Sequence, residues 1–117
     1  MTTVNVFRAE QSELLAFEPG QVIFSEGESG ELMYVVHEGE VELHVKSRLV
    51  DTLGAGGVLG EMALIDHAPR IATAKTACKL VPVTEKRFVF MVQQTPHFAL
   101  QIMRVMAERL RRMDEQL

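Results

Sequence analysis

The sequence predicts a mainly β body followed by two C-terminal helices, and three observations carry that expectation. Through the first two-thirds of the chain, short apolar runs recur, each closed by proline, glycine or a polar pair. Within them Val41, Leu43 and Val45 alternate with Glu40, Glu42, His44 and Lys46, the period-two pattern of a half-buried strand. Beyond Thr84 the apolar spacing changes to that of a helix.

Taken in order, Leu14–Phe17 and Val22–Phe24 are strands joined through Glu18-Pro19-Gly20-Gln21. Proline followed by glycine is the order of a type II turn, because proline presets one negative φ and glycine supplies the positive one. Gly27 and Gly30 bracket a polar loop ahead of Leu32-Met33-Tyr34-Val35-Val36, a run apolar enough to be buried on both faces. Glu38-Gly39 turns the chain into the alternating strand, and a tight loop at Ser47-Arg48 leads to Leu49–Leu53. Arg70–Lys75 and Lys79–Val83 are two further strands, and many short strands at this spacing make a sandwich or barrel. Thr84 is the expected N-cap of a helix running to about Gln93, with Phe88 and Val92 on one stripe. Thr95-Pro96 carries the N-cap and first-position signals of a second helix, along which Ile102, Val105, Met106, Leu110 and Met113 form the apolar stripe. One domain over residues 1–117 is expected, with the β body at about 14–83 and the helices at about 84–115.

Composition limits the function classes. A chain of 117 residues that is 47% hydrophobic and 24% charged is a globular composition and argues against disorder. Cys78 is the single cysteine, so no internal disulfide can form. No apolar run has the length of a membrane span, and Met1 to Glu13 lacks the apolar core of a signal peptide, so a cytoplasmic location without a membrane partner is expected. A formal net charge of -4 gives the chain no electrostatic reason to seek nucleic acid. Arg104, Arg109, Arg111 and Arg112 crowd the last helix and read as solvated surface.

The segment with chemical content begins at Gly54-Ala55-Gly56-Gly57-Val58-Leu59-Gly60 and continues into Glu61-Met62-Ala63-Leu64-Ile65. Its glycines allow positive φ and close backbone approach, and they feed a short helix-capable stretch whose N–H groups favour an anion. No Gly-Lys-Ser/Thr follows, which excludes the phosphate loop of ATPases. Downstream, Pro69 holds Ala68 extended and Arg70 opens the next strand. Arginine offers two parallel hydrogen bonds to phosphate oxygens, and Glu61 can accept from a ribose hydroxyl. A carboxylate beside a phosphate site repels polyphosphates, which points to a singly charged phosphodiester. From these two residues alone, a surface salt bridge capping a loop is the favoured account.

Gly60-Glu61-Met62-Ala63-Leu64-Ile65, three residues, then Pro69-Arg70-Ile71-Ala72-Thr73 resembles the phosphate-binding cassette of the cyclic-nucleotide-binding domain family. Gly27, Gly30, Tyr34-Val35-Val36 and Gly39 match that family's spacing upstream, so the resemblance covers about residues 13–115. It implies an eight-stranded jelly-roll barrel, or double-stranded β-helix, with flanking helices. It further implies that Gly60, Glu61, Met62, Ala63, Arg70, Ile71 and Ala72 line the ligand site. Glu61 would bind the ribose 2′-hydroxyl and Arg70 an exocyclic phosphate oxygen. The N–H groups of Ala63 and Ile71 would complete the phosphate site, with Ala72 near the base and the final helix closing over it. The family often carries alanine, serine or threonine where this chain has Ile71. A threonine there is associated with cyclic GMP, so Ile71 favours cyclic AMP as ligand over cyclic GMP.

Other chemistries lack support. His37 and His44 have no metal-ligand spacing, and the paired-histidine strand motif of metal-dependent barrels is absent. Cys78 reads as a small buried strand residue, and no serine stands beside a partnered histidine and acid. Neither an enzyme nor a cofactor or metal is expected. A DNA-binding activator of this family would need a helix-turn-helix after Leu117, so nucleic acid is not an expected partner of this chain alone. The leading expectation is a sensor whose last helix moves on binding and is read by a downstream protein or by a second copy through that helix. The alternative is a nucleotide-silent interaction or dimerisation domain of the same fold.

Overall fold

The computed structural model describes residues 14–25, 32–45, 47–60 and 70–115. Among them eight strands form two antiparallel four-stranded sheets. One sheet has the order β1-β8-β3-β6, from Leu15–Phe17, Cys78–Thr84, Leu32–Glu38 and Val58–Leu59. The other has the order β2-β7-β4-β5, from Val22–Phe24, Arg70–Ala74, Val41–Val45 and Arg48–Leu53. This is the jelly-roll arrangement, and the helices α1 (Glu85–Gln94) and α2 (His97–Glu115) complete it.

The expected turn carries the chain from one sheet to the other. Gln21 donates its N–H to the Glu18 carbonyl at 3.0 Å, and Gly20 has φ +85°. At the β3–β4 turn Gly39 has φ +89°, and a Cβ there would land on the Ala77 carbonyl and Cys78 Cβ. Glycine is required at that corner because β8 passes directly against it.

Two apolar layers result. Alternation along β3 sends Met33 and Val35 towards the helices, and Tyr34 and Val36 between the sheets. The stretch Leu32–Val36 is therefore apolar on both faces, as its sequence suggested, and exposed His37 and Glu38 end the strand. The helix-side layer joins Met33, Val35, Val58, Val81 and Val83 to Phe98, Ile102 and Val105 of α2. The inter-sheet layer contains Val36, Val41, Leu43, Leu53, Leu59, Ala72, Ala74, Cys78 and Leu80. Burial of Cys78 pushes its thiol pKa up, so it packs as a small apolar residue.

Thr84 caps α1 as expected, its hydroxyl accepting from the Arg87 N–H at 3.1 Å. Thr95 does more than begin α2. It is the C-cap of α1, donating its N–H to the Met91 carbonyl at 2.8 Å, while its own carbonyl accepts from Phe98 N–H at 2.9 Å. The α2 stripe differs from expectation at its C-terminal end. Ile102 and Val105 are buried and Met106 is half-buried, but Leu110 is 46% exposed and the inward position is taken by Arg109. The expectation that the four helix arginines are all solvated fails for Arg109, which is 4% exposed, and for half-buried Arg112. A carboxylate on β5 draws both inward, as described below. Met113, the last member of the stripe, has its side chain outside the described residues.

Candidate functional site

The two ends of the segment expected to hold ligand can be built from the barrel. On the upstream side Gly57 N–H closes a turn onto the Gly54 carbonyl at 2.9 Å, and Gly56 N–H donates to the Val36 carbonyl at 2.8 Å. Val36 N–H returns a bond to the Gly57 carbonyl at 2.9 Å. These glycines therefore extend the β3–β6 ladder, in which Tyr34 faces Leu59 and Val35 faces Val58. The donors of Gly56 and Gly57 are engaged inside the barrel, so they are not the N–H groups of an anion cradle.

Gly60 directly follows β6 with φ +82°, and a Cβ there would stand 2.8 Å from the Leu32 carbonyl oxygen. The position needs glycine on two counts, conformation and space. Gly60→Ala is expected to cost about 1–3 kcal/mol, the range for one strained backbone residue, read as a lower urea midpoint at unchanged slope. An unchanged midpoint would remove the steric requirement.

On the downstream side β7 opens at Arg70, whose backbone pairs with Val45 of β4. Ala72 pairs with Leu43 on one side and Phe24 on the other, and is fully buried between the sheets. Ile71, opposite His44, is half-buried on the other face of the strand. Thus Gly60, Ile71 and Ala72 are brought to the two strand ends that bound the segment. Glu61, Met62, Ala63 and the side chain of Arg70 lie outside the described residues.

A charged cluster that the sequence did not reveal stands against these strands. Arg109 of α2 donates through Nη2 to the Val58 carbonyl at 2.8 Å and lies 3.7 Å from Asp51 Oδ2. Arg112 Nη1 approaches the same oxygen at 2.5 Å. Asp51 and Arg109 side chains are only 9% and 4% exposed. The available signal was Asp51 itself, a carboxylate inside the apolar stretch Leu49–Leu53. Among the described residues no group of histidines, cysteines and acids is arranged to hold a metal ion. No described helix is long and apolar enough to cross a membrane.

A family model described as "Cyclic nucleotide-binding domain" matches residues 14–95, which include both ends of the segment. A CRP-like cAMP-activated global transcriptional regulator of Mycobacterium tuberculosis is 28% identical over 115 residues, covering 92% of this chain and 51% of the regulator. A cGMP-dependent protein kinase of Eimeria tenella is 38% identical over 68 residues, 58% of this chain and 7% of the kinase. Among solved structures, the catabolite activator protein of Thermus thermophilus superposes with a TM-score of 0.73 at 27% identity, over 88% of this chain and 52% of that one. The chain thus spans about half the length of the two regulators and a small part of the kinase.

Proposed function

Because the chain belongs to the cyclic nucleotide-binding domain family, we propose that it is a non-enzymatic sensing module for cyclic AMP that signals through α2. One observation carries this. A single segment between β6 and β7, inside the matched residues, holds Gly60-Glu61 at one end and Pro69-Arg70 at the other. In this reading Arg70 clamps the phosphodiester with two parallel N–H donors, and Glu61 accepts from the ribose 2′-hydroxyl. The N–H groups of Ala63 and Ile71 face the phosphate. Ala72, with only a methyl group on the inner face of β7, stands near the base. Gly60 and Met62 complete the segment. Ile71 brings no hydroxyl to a guanine, which favours cyclic AMP over cyclic GMP. Relatives named for cyclic AMP and for cyclic GMP both match, so the choice rests on this residue.

Titration calorimetry with cyclic AMP, cyclic GMP and 2′-deoxy cyclic AMP tests the reading. Cyclic AMP should bind most tightly and its 2′-deoxy form more weakly. Absence of heat with every ligand at millimolar concentration would sink it.

A second reading, an interaction surface on α2, is favoured by a separate feature. Leu100, Met103 and Leu110 are 49%, 60% and 46% exposed, and with exposed Ala107 they follow the three-four-three spacing of a coiled-coil seam. The seam lies off the face that packs on the barrel and suits a second copy of the chain. Its partner reading is a homodimer, whether or not nucleotide binds. Sedimentation velocity should find a dimer that Met103→Glu with Leu110→Glu converts to monomer. A wild-type monomer at high micromolar concentration would exclude the seam as a self-association surface.

A further inference from the structure

The cluster of Asp51, Arg109 and Arg112 is used neither by the ligand segment nor by the exposed seam. Its place in the sheet is specific. Asp51 lies opposite Leu43, and Leu43 opposite Ala72, forming one row across β5, β4 and β7. The next row, two residues along, is Leu53, Val41 and Ala74. All five apolar members of these rows are no more than 1% exposed, and paired residues project to one face, so Asp51 belongs to the core-facing set. A carboxylate there must be satisfied by charge, and α2 supplies both arginines.

One partner of this cluster, Val58, and one residue in the cross-strand row of Asp51, Ala72, flank the ligand segment. Val58, whose carbonyl accepts from Arg109, stands two residues before Gly60. Ala72, in the same row as Asp51, stands two residues after Arg70. A buried ion pair adds little net stability over apolar filling, yet removing one member strands the other. Its directional charge-assisted bonds instead fix one geometry, turning Arg109 inward and Leu110 outward on α2.

We propose that Asp51 is a positioning residue. It latches the C-terminal turns of α2 to β5 and β6, and so links the position of α2 to the strands that hold the ligand segment. Only the link to ligand rests on the cyclic-nucleotide reading.

Amide hydrogen exchange on the full chain, first without ligand, tests the latch. In Asp51→Asn the amides of residues 106–112 should exchange at least about tenfold faster, while those of β3 and β8 keep wild-type rates. Arg112→Gln, altering a side chain that is 34% exposed, should show the same pattern more weakly and guards against a variant that fails to fold. Asp51→Glu keeps the carboxylate and should restore protection. Wild-type α2 rates in both Asp51→Asn and Arg112→Gln would overturn the latch, as would loosening of β3 and β8 in step with α2. With cyclic AMP, Asp51→Asn should lose at least about threefold in affinity, because α2 must be redocked, and equal affinity would overturn the link. A wild-type protein that binds no cyclic nucleotide would fail the sensing reading and the link together, while the ligand-free exchange would still judge the latch.

Discussion

Arg70→Ala is expected to weaken cyclic AMP binding by tens-fold to several-thousand-fold. The estimate follows from the cost of removing one member of a desolvated charge pair, about 2–5 kcal/mol. A guanidinium matches two phosphodiester oxygens with two parallel donors and keeps its charge at any working pH. Alanine would leave the phosphate with backbone N–H groups alone. Arg70→Lys separates charge from geometry, since it retains a point charge and loses the fork, so an intermediate loss is expected. Calorimetry reads the affinities, and a thermal melt of each variant is the control for folding. Wild-type affinity in Arg70→Ala would move the phosphate site elsewhere, because no other residue in the segment offers a fixed cation.

The features legible in the sequence are those whose cause is local. The turn at Glu18–Gln21 needs only proline and glycine in order, and β4 needs only its own alternation. Thr84 caps α1 for an equally local reason. Strand β6 was not legible. Val58-Leu59 is two residues long, buried on both sides and set among glycines, so it has no period. It is a strand because β3 pairs with it. The glycine turn shows the same distance effect, because the Gly56 N–H is taken by the Val36 carbonyl of β3. That effect also hid the rotation of α2. Met106, Arg109 and Leu110 lie near one edge of the helical stripe, and composition alone favours burying Leu110. Asp51, remote in sequence, reverses that choice. A long arginine stem packs well once its head group has a partner, and the partner cannot be read from the helix. At the site itself, glutamate and arginine at the family's spacing were visible in sequence, and Gly60, Ile71 and Ala72 stand at the strand ends that bound the segment.

Phe98→Ala is expected to destabilise the protein by about 3–5 kcal/mol, the range for truncating a large core aromatic. Phe98 is fully buried in the first turn of α2, in the layer that includes Met33, Val35, Val81 and Val83. Those neighbours stand on β3 and β8, the longest paired strands, so the walls of the resulting cavity cannot close easily. Phe98 also meets Phe88 edge-on at a centroid distance of 5.5 Å. That contact matters because α1 contains no fully buried residue and depends on such half-buried contacts for its own docking. Loss of Phe98 should therefore weaken both helices together. Urea denaturation followed by far-UV circular dichroism gives the test. A lower midpoint at unchanged slope would mean that helices and barrel unfold as one unit. A reduced slope would mean that the helices leave first and the barrel remains. In that second case the ligand segment would survive on β6 and β7, so nucleotide binding would persist while the response of α2 disappeared. A stability equal to wild type would show that Phe98 does not anchor α2, and the latch at Asp51 would then have to hold it alone.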